Sequence, residues 1–265
     1  MKNIKIYKVD AFTNKLFSGN PAAVCPLDDW LPDEVMQSIA LENNLSETAF
    51  FIKDKDNFFL RWFTPKVEID LCGHATLATA HIIYTEMDYQ FDNIAFNIKS
   101  GDVLNVTRIE NKLTMNFPAY DPKITDQNLD ELSDIFGFRP TLFLNSNYGL
   151  AVFNNEEEIV KIEPNLNALE KLSYNGIIVT APGRNVDFVS RFFGPKLGIP
   201  EDPVTGGAHC ALIPYWSKRL NKKDMIAMQL SKRGGVIYCS YLNDRVNMGG
   251  EAITYMQGEI LLDNI

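Results

Sequence analysis

An internal repeat constrains the fold of this chain more than any other feature of its sequence. Five residues recur at the same positions in two segments 130 residues apart, RWFTPKVEI (61–69) and RFFGPKLGI (191–199). Each segment is typical of a strand that ends in a proline turn, and a glycine-containing turn and small apolar residues follow it. A repeat of this length is far too long for a solenoid. The sequence therefore predicts a duplicated α/β (α+β) domain.

Length and charge limit the classes of protein to which the chain can belong. Its 265 residues suffice for two domains of ordinary size, each with a core. The net charge is −9 and no dense cluster of Lys or Arg occurs, which argues against a nucleic-acid partner because phosphates bind basic surfaces. No apolar run approaches membrane-spanning length, and no signal peptide is visible. We expect a cytoplasmic protein with no nucleic-acid or membrane partner.

The cysteines indicate a reduced protein without a metal site. They stand singly, with no CxxC spacing: Cys25, Cys72, Cys210 and Cys239. A zinc site would have to draw on Cys72, Cys210, Asp202 and two histidines (His74 and His209), but these residues lack the spacing of a zinc motif. Neither a dinucleotide fingerprint nor a phosphate-binding loop occurs. We therefore expect no metal and no other cofactor.

Two short stretches, one after each copy of the repeat, predict a binding site for an anion. They are CGHATLATA (72–80) and TGGAHCALI (205–213). The N-terminus of a helix presents unpaired N–H groups and a partial positive charge, and glycines let an anion approach the backbone closely. We expect Gly73-His74 and Gly206-Gly207 to face a common cleft and to hold a small carboxylate ligand from two sides.

Motifs along nearly the whole chain resemble those of the PhzF-like family of phenazine-biosynthesis proteins. They are DAFT (10–13), GNPAAV (19–24), LSETAF (45–50), RWFTP (61–65), EIDLCGHATLA (68–78), RFFGPKLGIPEDPVTG (191–206) and GGEA (249–252). The resemblance implies the diaminopimelate epimerase-like fold, which proline racemase shares. In that fold two similar, pseudo-symmetric domains each roll a β-sheet around a central helix, and the active site lies between them. The resemblance also implies a homodimer.

The repeat and the resemblance together suggest where the domains divide. We expect an N-terminal domain over 1–117 and a C-terminal domain over 118–255, with a last strand, 256–265, that returns to the first domain. The central helices are expected to begin near Gly73 and Gly206.

The resemblance implies catalytic roles for three residues. Glu47 stands where a polar loop turns into an apolar strand, and a carboxylate that loses water there becomes a better base, able to remove and return a proton. His74 would hydrogen-bond the substrate or hold its charge, and Asp202 would contact a substrate amine or orient the proton-carrying network. The residues expected to line the substrate site are Asn20, Cys72, Gly73, Thr205, Gly206 and Gly207.

The expected function is that of a cofactor-independent isomerase or epimerase acting on a small carboxylate-bearing, preferably amino, metabolite. Two residues bear on the alternatives. Thr205 stands where the two-thiol racemases of this fold carry a second cysteine, and a hydroxyl is too weak an acid to replace a thiolate. Gly207 stands where PhzF-like proteins commonly have a serine that contacts the substrate. Its loss removes a hydroxyl donor and favours the main alternative, a binding or regulatory protein without turnover.

Overall fold

A computed structural model describes residues 2–55 and 57–262 and shows a mixed α+β protein. The strands, in chain order, are β1 (Lys2–Ala11), β2 (Asn20–Leu27), β3 (Glu47–Asp54), β4 (Asn57–Phe63), β5 (Glu68–Ile69), β6 (Asn93–Ile98), β7 (Val103–Ile109), β8 (Lys112–Pro118), β9 (Lys123–Ile124), β10 (Leu142–Asn145), β11 (Gly149–Val152), β12 (Ile177–Pro182), β13 (Phe188–Gly194), β14 (Ile199–Asp202), β15 (Asp224–Gln229), β16 (Gly235–Tyr241), β17 (Arg245–Gly250) and β18 (Ala252–Leu262). The helices are α1 (Asp33–Asn43), α2 (Gly73–Glu86), α3 (Leu129–Phe136), α4 (Glu156–Lys161), α5 (Leu166–Leu169) and α6 (Gly206–Leu220), with a 3-10 turn over Pro195–Leu197. Within the described chain, no helix combines the length and the apolar character needed to cross a membrane.

The first of two compact units contains the chain up to Asn116 together with the chain from Gly249 onward. Its strands pair in the order β18–β1–β2–β3–β4–β6–β7–β8, with β5 added beside the end of β4. Helix α2 packs against this sheet, and nine of its fourteen residues are buried. A helix that is apolar on all sides belongs in a core, and the small Ala and Thr side chains of α2 let strands approach closely. The unit is therefore a sheet around a central helix.

The second unit, Phe117–Met248, has the same plan. Its strands pair in the order β9–β10–β11–β12–β13–β15–β16, with β14 beside the end of β13. Nine of the fifteen residues of α6 are buried. Helices α3, α4 and α5 contribute Leu132, Ile159 and Leu169 to a separate apolar cluster with the strands. Both central helices begin at the glycines that the sequence predicts.

The repeated segments occupy equivalent positions in the two units. Strand β4 runs antiparallel to β3 and parallel to β6, and β13 runs antiparallel to β12 and parallel to β15. Each carries an arginine paired through two hydrogen bonds with a glutamate further along the chain. Arg61 donates to Glu68 at 2.7 and 2.9 Å, and Arg191 donates to Glu201 at 2.6 and 3.0 Å. The duplication read from the sequence is thus present in the fold.

The chain passes between the units at two points. The sequence places these points after residues 117 and 255, and the contacts of the structure place them after Asn116 and Met248. Gly249 already packs on β8, because a Cβ there would lie 2.8 Å from the carbonyl oxygen of Leu113. The returning strand then begins at Ala252 rather than 256, and the predicted end of that strand, 263–265, lies outside the described residues.

Candidate functional site

Asn20 is placed by a tight connection between β1 and β2. Gly19 has a φ of +67°, and a Cβ there would lie only 2.2 Å from the carbonyl oxygen of Ala11, so no side chain fits. Asn20 follows as the first residue of β2 and is fully buried. Two residues on, Ala22 pairs with Glu47 at the start of the parallel strand β3. The GNPAAV motif thus brings Asn20 to the same end of the sheet as Glu47.

Glu47 and His74 are in direct contact within the first unit. Glu47 is the first residue of β3, and His74 is the second residue of α2. Nε2 of His74 lies 3.1 Å from Oε2 of Glu47, and the two residues are only 6% and 8% exposed. Both are site residues predicted from the sequence, and the structure brings them together.

Cys72 contacts the other side of the same imidazole. It occupies the position just before α2, and its Sγ lies 3.5 Å from Nδ1 of His74. The thiol is buried. Cys72, His74 and Glu47 therefore form a continuous row in which the imidazole links a thiol to a carboxylate.

The row favours a protonated His74. Burial alone lowers the pKa of the imidazole, but Cys72 and Glu47 together outweigh burial and hold the pKa well above its ordinary value. Burial raises the pKa of Cys72 and Glu47 raises it further, whereas His74 lowers it. Cys72 and Glu47 are therefore the two groups that favour the protonated imidazole of His74.

We expect the three histidines to titrate in two classes in an NMR pH titration. Burial lowers the pKa of His81 and of His209 to about 4, whereas His74 should titrate above 6.5. Because the pKa of His74 is raised on folding, its stabilising contribution is fully present below about pH 6.5 and is lost as the pH rises through the raised value. The variant Glu47→Gln should bring the pKa of His74 down. Titration of His74 together with the other two in the wild-type protein would contradict the pairing.

The ligand atoms of Glu47, Cys72 and His74 also lie within 4.8 Å of one another, close enough for a metal ion to be considered. Cys72 faces Nδ1 of the imidazole, whereas Glu47 faces Nε2. One ion cannot bind both nitrogens of a single ring, so a three-residue site would require His74 to reorient. The arrangement suits proton transfer along the row better than metal coordination.

Asp202 and Thr205 form the corresponding group in the second unit. Asp202 ends β14, and Thr205 occupies the position just before α6, as Cys72 does before α2. The Thr205 hydroxyl donates a hydrogen bond of 2.5 Å to Oδ2 of Asp202, and both residues are largely buried. The hydroxyl at the second thiol position is therefore engaged in holding the Asp202 carboxylate.

Gln229 organises this group and is not among the site residues predicted from the sequence. Its side chain is fully buried at the end of β15. Oε1 accepts the backbone N–H of Thr205 at 2.8 Å, while Nε2 donates to the carbonyl oxygen of Asp202 at 2.7 Å and to the Thr205 hydroxyl at 3.1 Å. The available signal was an amide at the buried end of a strand whose four middle residues are apolar, DMIAMQ (224–229).

The N-termini of the central helices differ from those of α3, α4 and α5, whereas α1 also lacks a side-chain cap but carries Asp33 and Glu34 in its first turn. Neither Cys72 nor Thr205 caps its helix with a side-chain hydrogen bond, and neither helix has an acidic residue in its first turn. Helices α3, α4 and α5 are each capped by an asparagine: Asn128, Asn155 and Asn165. The first-turn N–H groups at Gly73 and at Gly206-Gly207 are therefore left without a side-chain cap and suit an anionic ligand.

The structure gathers the nine predicted site residues into one group in each unit. The first unit holds Asn20, Glu47, Cys72, Gly73 and His74. The second unit holds Asp202, Thr205, Gly206 and Gly207.

Comparison with known proteins gives one consistent set of relatives. The model of a family described as phenazine biosynthesis-like protein matches residues 9–258. An uncharacterized isomerase of Pseudomonas aeruginosa is 46% identical over 98% of this chain and 99% of its own. The crystal structure of a PhzF-family protein from Enterococcus faecalis superposes with a TM-score of 0.96 at 46% identity, covering 98% of this chain and all of the other.

More distant structures share the fold alone. A hydroxyproline epimerase from Agrobacterium vitis, with bound trans-4-hydroxy-L-proline, superposes with a TM-score of 0.63 at 9% identity over 99% of this chain and 93% of its own. The architecture predicted from the repeat and the motifs, that of the diaminopimelate epimerase and proline racemase fold, is confirmed.

Proposed function

Since this chain belongs to the phenazine biosynthesis-like PhzC-PhzF family, we propose that it is a cofactor-independent isomerase or epimerase. Its substrate is a small metabolite that bears a carboxylate, and a metabolite that also bears an amine is the favoured candidate. Glu47 removes a proton from the substrate carbon and returns it to another carbon.

The contact between Glu47 and His74 carries this proposal. A carboxylate and an imidazole taken out of water are costly, and such pairs gather at sites where proton transfer is needed. His74 fixes the orientation of the Glu47 carboxylate, so that the carboxylate is placed to accept a proton. When Glu47 takes the proton, the positive charge of His74 no longer has an anionic partner. Return of the proton to the substrate restores that partner and is therefore favoured.

The remaining residues support the other needs of the reaction. Removing a proton beside a carboxylate spreads negative charge onto the carboxylate oxygens of the substrate. The uncapped first turns of α2 and α6 present N–H groups to such oxygens, at fixed positions that need no rearrangement. Asp202, held by Thr205 and Gln229, offers an anion for a substrate amine.

The alternatives are less well supported. A two-thiol racemase needs an acidic thiol and a second one opposite it, but burial raises the pKa of Cys72, and the Thr205 hydroxyl is bound to Asp202. The absence of a side chain at Gly207, where a serine would contact the substrate, favours a binding or regulatory protein. Such a protein has no need of a buried carboxylate and imidazole beside the same ligand.

Solvent-deuterium incorporation separates the two leading functions. We expect at least one member of a panel of small amino and hydroxy acids to gain deuterium when incubated with the protein in D2O and analysed by mass spectrometry. Pretreatment with EDTA should leave the rate unchanged. Binding of a panel member without exchange would favour the regulatory protein, and loss of exchange on chelation would show that Glu47, Cys72 and His74 hold a metal.

A further inference from the structure

The turn between β10 and β11 packs on the first turn of α6. The N–H of Ser146 donates to the carbonyl oxygen of Tyr148 at 3.1 Å, which keeps the turn tight. Nδ2 of Asn147 donates to the carbonyl oxygen of Gly207 at 3.3 Å. The turn, defined by residues 146–148, is therefore fixed to the helix start that we assign to substrate binding.

Within this turn, Tyr148 directs its phenol toward the space beside Gly207. A Cβ atom built on Gly207 would lie 3.6 Å from the phenol oxygen and 3.7 Å from Cε2, at ordinary van der Waals distance. The ring is held edge-on against Phe192, with centroids 4.9 Å apart and planes at 75°. The hydroxyl group of Tyr148 thus lies next to the place where a side chain at position 207 would put its own.

The electrostatic setting keeps this phenol a hydrogen-bond donor. Burial raises the pKa of Tyr148, and the Asp202 carboxylate raises it further. The phenol is therefore un-ionised at neutral pH and close enough to Asp202 to sense its charge. A neutral O–H near the uncapped start of α6 complements the carboxylate of a ligand.

We infer that Tyr148 is a specificity-determining residue that supplies, from the β10–β11 turn, the hydroxyl donor that Gly207 lacks. The inference rests on the proposed function. The phenol occupies the place beside Gly207. A ligand carboxylate at the start of α6 is therefore bound by a donor from the turn and not by a hydroxyl on the helix.

The inference is tested by moving the hydroxyl from residue 148 to residue 207. Four proteins are compared: the wild type, Tyr148→Phe, Gly207→Ser and the double variant. A serine fits position 207 because the nearest atoms are at van der Waals distance and serine is tolerated in a first helical turn. Dissociation constants for acetate, glycine, L-proline and 2-aminobenzoate are measured by calorimetry, and kcat and KM are measured for any substrate found by deuterium exchange.

Tyr148→Phe should weaken binding of the carboxylates that the wild type binds by about 10- to 100-fold, the scale of one hydrogen bond to a charged group, and should raise KM more than it lowers kcat. The double variant should regain most of the affinity that Tyr148→Phe loses. The control is Tyr174→Phe, which removes the phenol oxygen from another partly buried tyrosine of the second unit and should change nothing.

Each failure has a distinct meaning. Equal affinities of the wild type and Tyr148→Phe would overturn the role of Tyr148 while leaving the proposed function intact. A weakened Tyr148→Phe that Gly207→Ser does not rescue for any ligand would overturn the shared position of the two hydroxyls. Absence of carboxylate binding and of exchange in the wild type would overturn the proposed function itself, and the inference with it.

Discussion

Replacing Glu47 with glutamine is expected to lower the rate of proton exchange into substrate by about a hundredfold or more, the usual scale for loss of a general base. Glutamine keeps the size of the side chain and an oxygen that can face Nε2 of His74, but it has no basic site. Folding and ligand affinity should therefore change little. The rate is measured as deuterium incorporation in D2O, and affinity is measured by calorimetry with the same ligand.

Two further variants make the result specific. Glu42→Gln changes an exposed glutamate of α1 and should leave the exchange rate unchanged. Cys72→Ser should cost far less than Glu47→Gln, because the residue at the second thiol position is Thr205. Exchange at the wild-type rate in Glu47→Gln, together with an inactive Cys72→Ser, would identify a thiol enzyme and contradict the mechanism.

Replacing Gln229 with leucine is expected to lower the free energy of unfolding by about 2–6 kcal/mol. The substitution removes the hydrogen bonds of the Gln229 amide to the buried N–H of Thr205 and to the carbonyl oxygen of Asp202, and each lost bond costs about 1–3 kcal/mol. It also removes the donor to the Thr205 hydroxyl, which holds the Asp202 carboxylate, so turnover should fall. Urea denaturation gives the stability, and the exchange assay gives the turnover.

The matched control is Gln257→Leu, on the exposed part of β18, where little change in stability is expected. Gln229→Glu separates the two roles of the amide, because it keeps an acceptor for Thr205 but loses the donor to Asp202. A Gln229→Leu protein as stable and as active as the wild type would show that the network does not position Asp202.

The fold could be predicted from the sequence because the residues that reveal the duplication lie in short contiguous segments. The repeat at 61–69 and 191–199 fixes two equivalent strands, and the glycines that follow fix the starts of the two central helices. The predicted starts of the two central helices agree with the observed ones because glycine and small residues are strong local signals for a helix start. The point where the chain returns to the first unit depends on packing of Gly249 against a distant strand, which no local pattern reports.

The site could be predicted only in part for a similar reason. Glu47, His74 and Asp202 lie in motifs, so their roles follow from a resemblance over contiguous residues. Gln229 and Tyr148 act through contacts with residues 24 and 59 positions away in the chain, Thr205 and Gly207. Neither residue lies in one of the motifs that carry the resemblance. Supporting residues of this kind become visible only when the chain is folded.

The pairing of β1 with β18 has a consequence for the order in which the protein can be completed during synthesis. Lys2 pairs with Leu262 and Ala11 with Ala252, so β1 must wait for β18 to be synthesised. At about 5–20 residues per second the delay is roughly 10–50 seconds. The second unit is contiguous in the chain and emerges during that interval. The unit that is synthesised first is therefore finished last, and its incomplete sheet exposes the free edge of β1 throughout the wait.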